Sequence, residues 1–193
     1  MRTLFIAVPL LAACAEERAP QSAPTAASST SPAPTVSPKP VAALTPDGWG
    51  PLRIGMTRAE VEAALGPDAD PQAVGGPEPE RCDQFRPARA PDGMIVMVED
   101  GRLTRISLIR DATIATGRGL RLGATAAAVR AAHGDALRIE RHEYVPPPGA
   151  YLTHWVREGG AAARGVRYEV GASGRVETIH AGGPSITYSE GCA

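Results

Sequence analysis

Leu52-Arg53-Ile54-Gly55-Met56-Thr57-Arg58-Ala59-Glu60-Val61-Glu62-Ala63-Ala64-Leu65-Gly66 aligns without a gap on Leu120-Arg121-Leu122-Gly123-Ala124-Thr125-Ala126-Ala127-Ala128-Val129-Arg130-Ala131-Ala132-His133-Gly134. The opening Leu-Arg, the Gly two places before the Thr, the Thr itself, the Val and the closing Gly coincide. A second match follows, Gly101-Arg102-Leu103-Thr104-Arg105-Ile106 on Gly174-Arg175-Val176-Glu177-Thr178-Ile179. Self-similarity at such a spacing marks a duplicated unit. Two repeats are expected, over 46–115 and 116–193, with the extra residues of the second in Pro146-Pro147-Pro148-Gly149 and Gly159-Gly160-Ala161-Ala162-Ala163.

Each copy opens on a helix signal. Thr57 with Glu60 three residues on makes a capping box, Val61, Ala64 and Leu65 share one helical face, and Gly66-Pro67 stops the helix. In the second copy Thr125 caps and Gly134 ends the helix, while Ala128 and His133 stand where Glu60 and Leu65 were. Strand signals follow. Met94 to Val98 is a continuous apolar run, Asp100-Gly101 is a hairpin turn and Arg102 to Ile109 returns. Val166, Tyr168 and Val170 alternate with Arg167 and Glu169 before a Gly171 to Gly174 turn and a strand over Arg175 to Ala181, and Ile186 to Ser189 reads as a last strand. The expected fold class is therefore α+β: two tandem repeats, each a short helical segment followed by an antiparallel β-meander.

The string Ile54-Gly55-Met56-Thr57, then Glu60-Val61, then Leu65-Gly66-Pro67 resembles the opening motif of the SmpA/OmlA family, small outer-membrane lipoproteins of the barrel-assembly machinery. The doubled layout is similar to that of the β-lactamase inhibitory protein, a tandem of such units. These resemblances imply a role in envelope assembly or, alternatively, inhibition of an enzyme.

Met1-Arg2, the apolar run Leu4 to Ala13 and Cys14 read as a signal peptide over 1–13, because ten apolar residues are half of a membrane span. Leu11-Ala12-Ala13-Cys14 resembles the lipobox of bacterial lipoproteins. That resemblance implies cleavage before Cys14, acyl chains such as palmitate on it and, with Ala15 following, an outer-membrane anchor facing the periplasm. From Ala15 to Thr45 the chain holds eight Ala, six Pro, five Ser and four Thr and no aromatic residue. Such a segment buries too little apolar surface to offset its conformational entropy, so 14–45 is expected to be a disordered tether behind the lipidated cysteine.

The whole chain carries 20 basic and 21 acidic side chains, for a net charge of −1, which removes the electrostatic case for a nucleic-acid partner. With Cys14 lipidated, Cys82 and Cys192 remain, and an even pair in an oxidising compartment is most simply a disulfide. His133, His142, His154 and His180 show no metal-ligand spacing, so neither a metal nor another cofactor is expected. His133 is placed at a helix C-terminus, where the dipole favours its cation. Interfaces are enriched in Tyr and Trp, which makes Tyr144, Tyr151 and Trp155, around the Pro146-Pro147-Pro148-Gly149 loop, the candidate binding surface. The sequence presents no catalytic set of nucleophile and base or of paired carboxylates. The expectation is a non-catalytic lipoprotein that binds a periplasmic or outer-membrane protein, with an enzyme inhibitor as the alternative and a cell-wall hydrolase ranked last.

Overall fold

The computed structural model describes residues 42–72 and 75–192. The signal peptide, Cys14 and the tether up to residue 41 lie outside the described residues.

Nine strands and two helices follow in the order β1 (Gly48–Trp49), β2 (Leu52–Arg53), α1 (Arg58–Leu65), β3 (Cys82–Phe85), β4 (Met94–Glu99), β5 (Arg102–Ile109), α2 (Ala126–His133), β6 (Leu137–Arg141), β7 (Ala150–Arg157), β8 (Arg164–Val170) and β9 (Val176–Gly182). β1 and β2 form a two-stranded ribbon, and the other seven form one antiparallel sheet in the order β3-β4-β5-β9-β8-β7-β6.

The expected fold class is thereby corrected. The described residues are mostly β, with two α-helices of eight residues each, and are not a tandem of two helix-plus-meander repeats. The physical reason is the pairing of β5 with β9, from Arg105 opposite Gly182 to Ile109 opposite Thr178. It satisfies the inner edges of both meanders at once and merges them. One buried cluster takes in Val61, Phe85, Leu103 and Ile106 together with Val129, Leu152, Tyr168 and Ile179. The last strand expected at Ile186 to Ser189 is a 3-10 turn over Pro184–Thr187, started by a proline at its first positions.

The repeated motif encodes a local docking. Thr57 caps α1 reciprocally with Glu60, whose carboxylate accepts the Thr57 N–H at 2.7 Å. Thr125 caps α2 by accepting the Ala128 N–H at 3.1 Å. Ahead of each cap the backbone clamps the start of a strand: Gly55 N–H donates to Leu103 and Leu103 N–H to Met56, while Gly123 N–H donates to Val176 and Val176 N–H to Ala124. Asp100 and Gly101, both at positive φ, form the tight β4–β5 turn as the Asp-Gly pair predicts. Leu44, at the end of the segment read as tether, is fully buried, and its N–H donates to the Ala115 carbonyl at 2.8 Å. The helices cover one face of the sheet with apolar side chains. The opposite face carries the polar groups from which the candidate site is built.

Candidate functional site

Alternation along each strand sends every second side chain away from the helices. On that outward face the register sets Ser107 opposite His180, His180 opposite Arg167, Arg167 opposite Thr153, and Tyr151 opposite both Glu169 and Glu140. These groups are more buried than an outer sheet face usually is. Arg105, Ser107, Tyr151, Thr153, Arg167 and His180 are all buried. The Arg167 guanidinium lies 3.8 Å from the centre of the Tyr151 ring and donates to Glu140 at 3.1 Å and Thr153 at 3.3 Å. Arg105 donates to the carbonyls of Ser185 and Tyr188 at 3.0 and 3.1 Å and to Gln84 Oε1 at 2.7 Å, so it clasps the C-terminal tail to the sheet. Burial lowers the Arg105 pKa to about 10 against the opposing pull of Glu169 and Glu99.

At the centre of the face Ser107 Oγ lies 2.8 Å from His180 Nδ1, and His180 Nε2 lies 3.3 Å from Glu169 Oε1. Burial lowers the His180 pKa in spite of Glu169. Burial would raise that of Glu169, but the hydrogen bond from His180 and the charges of His180 and Arg167 hold it low. A neutral ring that donates Nε2–H to the carboxylate accepts the Ser107 proton at Nδ1, which is the order hydroxyl, imidazole, carboxylate of an activated nucleophile. Sequence reading missed this set because its members sit on three strands far apart in the chain. Ser107 is only 4% exposed and His180 7%, which leaves a substrate carbonyl no approach to Oγ in this conformation. The chain of bonds ties β5, β9 and β8 together.

The open site lies at the edge of this face, around the tail. The disulfide joins Cys82 of β3 to Cys192 with Cα atoms 5.5 Å apart. Beside it is a basin of about 570 Å³ lined by Glu99, Glu143 and Glu190, by Tyr144 and Tyr188, and by the disulfide itself, with no basic side chain in its lining. Tyr144 donates its hydroxyl to Glu190 at 2.5 Å, and Ser189 donates to Glu143 at 2.9 Å. The Glu190 hydrogen bond raises the Tyr144 pKa, and the Glu99 charge, then burial, raises that of Tyr188. Both phenols therefore stay neutral where three carboxylates gather. Tyr144 is 58% and Tyr188 44% exposed, so both side chains reach solvent. Carboxylates beside exposed aromatic rings suit a guanidinium or ammonium group, held by charge and by cation–π contact. Among the described residues no group of His, Cys, Asp and Glu is placed to hold a metal ion.

The three aromatic candidates are not gathered on one surface. Tyr144 lines the acidic basin. Tyr151 is buried, stacked on His142 at 4.3 Å, and His142 in turn meets Tyr144 edge-on at 6.3 Å. Trp155 lies in a separate groove of about 420 Å³ with Arg138, Glu140 and Glu158, packed so closely over Gly165 that a Cβ there would sit 2.7 Å from the indole. Tyr188, Glu99 and Glu190 were not among the candidates read from the sequence, since acids scattered along the chain and a tail tyrosine carry no signal of meeting.

The histidine expected as a cation is the reverse. His133 Nε2 lies 3.0 Å from the Tyr168 hydroxyl and its ring 4.5 Å from that of His154. Burial first, then the charges of His154 and Arg118, lower its pKa to about 4. Desolvation and neighbouring positive charge outweigh the helix dipole.

Comparison with known proteins finds no matching family model, no matching curated protein and no matching solved structure.

Proposed function

We propose that the protein is a non-catalytic binding module that captures a partner protein by seating a basic side chain of the partner in the acidic basin at Tyr144 and Tyr188. The observation that carries this reading is the conjunction of three carboxylates, two exposed tyrosines and a covalently fixed rim. Of the candidate surface read from the sequence, Tyr144 is the contact residue, Tyr151 supports it through His142, and Trp155 serves another groove. The lipobox-like Leu11-Ala12-Ala13-Cys14 supports an acyl anchor on Cys14 in the outer membrane, which places the module in the periplasm as a scaffold of envelope assembly. The partner is then a periplasmic or outer-membrane protein.

A photo-crosslinking residue at Tyr144, in envelopes, tests the site. The expected result is one dominant adduct to an envelope protein, lost in the double variant Glu143→Lys, Glu190→Lys and absent when the crosslinker sits instead at Ser173, beyond β8. Adduct formation that ignores the two charge reversals would overturn the reading. Mass spectrometry of the mature N-terminus tests the anchor, with an unmodified Cys14 thiol as the contrary result.

The Ser107–His180–Glu169 chain favours a second reading, the hydrolase. Its closed hydroxyl ranks it behind the binding module. Turnover of a wall substrate that is lost in Ser107→Ala would reverse that order.

A further inference from the structure

The two edges of the seven-stranded sheet are treated differently. At β3 the disulfide and the tail lie against the strand, so closely that a Cβ on Gly191 would sit 2.0 Å from the Gln84 amide nitrogen. At the other edge β6 pairs only with β7, and four of its five residues are exposed. An edge strand presents a row of unpaired N–H and C=O groups and templates a further strand unless something blocks it. Ile139, on the helix face of β6, is 50% exposed beside a mostly apolar groove of about 670 Å³ shared with Ala126, Ala127, Pro147 and Pro148.

We infer that β6 is a dimerisation strand, which pairs antiparallel with β6 of a second copy about a twofold axis at Ile139. The charge pattern of Leu137-Arg138-Ile139-Glu140-Arg141 selects this occupant and this register. In the twofold pairing Ile139 faces its own copy, and Arg138 of each chain faces Glu140 of the other. A shift to a centre on Arg138 would set Arg138 against Arg138, and a centre on Glu140 would set two glutamates together. Like charges directly opposite destabilise a strand pair, whereas opposite charges support it. The side chains are free to comply. Arg138 is held within its chain only by an exposed pair with Glu158, which is worth little. Glu140 holds Arg167 through Oε2 at 3.1 Å, leaving Oε1 for a second cation. Each Ile139 then covers the apolar groove of the other copy, and the sheet runs continuously through both chains.

Sedimentation equilibrium of the full chain in detergent, up to about 0.2 mM, reads the association. A dimer is expected. Arg138→Glu and Glu140→Arg, made singly, each turn two attractive pairs into repulsive ones and weaken dimerisation about tenfold or more. Mixing the two single variants restores every opposed pair, so a heterodimer of wild-type strength forms, and the double variant dimerises like wild type. Melting curves separate a lost interface from a lost fold, and the mixing experiment needs no further variant. A monomer throughout the range, or a dimer indifferent to the single reversals, overturns the proposal. A monomer whose β6 amides nonetheless resist hydrogen exchange also overturns it and identifies the chain's own residues before Ala42, or another extended segment, as the occupant.

Discussion

Removing the disulfide should be the most costly single chemical change to this fold. The bridge closes a loop with a sequence separation of 110 residues. In the chain-entropy model a loop of this length removes roughly 16 cal/mol/K from the unfolded ensemble, or about 4.8 kcal/mol at 25 °C. Little of this is expected to be offset in the native state, because Arg105 still holds the carbonyls of Ser185 and Tyr188 when the bond is gone. For a domain of this size the loss corresponds to a Tm lower by roughly 10–20 °C. The double variant Cys82→Ser, Cys192→Ser, unfolded in urea and followed by circular dichroism, measures it without reductant. Its m-value should rise, since the uncrosslinked chain exposes more surface on unfolding. A double variant within about 1 kcal/mol of the oxidised wild type would refute the reasoning and mean that the unfolded chain is already compact across this loop.

Three further perturbations test separate features. Gly182→Ala places a Cβ 2.2 Å from the Thr104 carbonyl at the β5–β9 junction, at a φ of +146° that side chains avoid, and should cost about 2 kcal/mol or more by thermal melting, where an unchanged Tm would contradict the close approach. Arg105→Met removes three charge-assisted hydrogen bonds and leaves the Tyr188 carbonyl without its donor, while that of Ser185 keeps the Tyr188 N–H, so about 3 kcal/mol should be lost and amide exchange should quicken selectively over 184–192. His133 has a folded pKa of about 4 against 6.5 unfolded, so the unfolded chain takes up its proton first as pH falls. Its contribution is complete above pH 6.5 and is lost between there and pH 4. His133→Gln should flatten the fall in urea midpoint from pH 7 to pH 5 in part, since His154 and His180 are lowered as well, and an identical fall in both proteins would contradict the assignment.

Local chemistry was readable from the chain where one short stretch decides the outcome. Thr57 and Glu60 close a capping box because both partners lie within one turn, and Asp100-Gly101 turns because its two residues tolerate positive φ. The pairing of Cys82 with Cys192 followed from cysteine number and from the compartment expected of the chain. The sheet was not readable, because the β5–β9 pairing joins residues such as Ser107 and His180 through complementary edges rather than any local pattern. Repetition misled for a related reason: the Gly55 and Gly123 stretches repeat a way of clamping a strand, which one continuous sheet uses twice. The acidic basin was hidden because Glu99 ends β4 while Glu143 lies between β6 and β7 and Glu190 in the C-terminal tail, three places that only the folded tail brings together.

The β5–β9 seam also sets an order of events in the life of the chain. A polypeptide delivered N-terminus first can form the β4–β5 hairpin early, but β5 waits with one side bare until Val176–Gly182 emerges. Closing that long loop is slow compared with local hairpin formation. Until then the emerging protein exposes an apolar strand to any edge it meets, which makes this stage the one most open to aggregation. A product truncated before Val176 would therefore be degraded or aggregated rather than persist as half a protein.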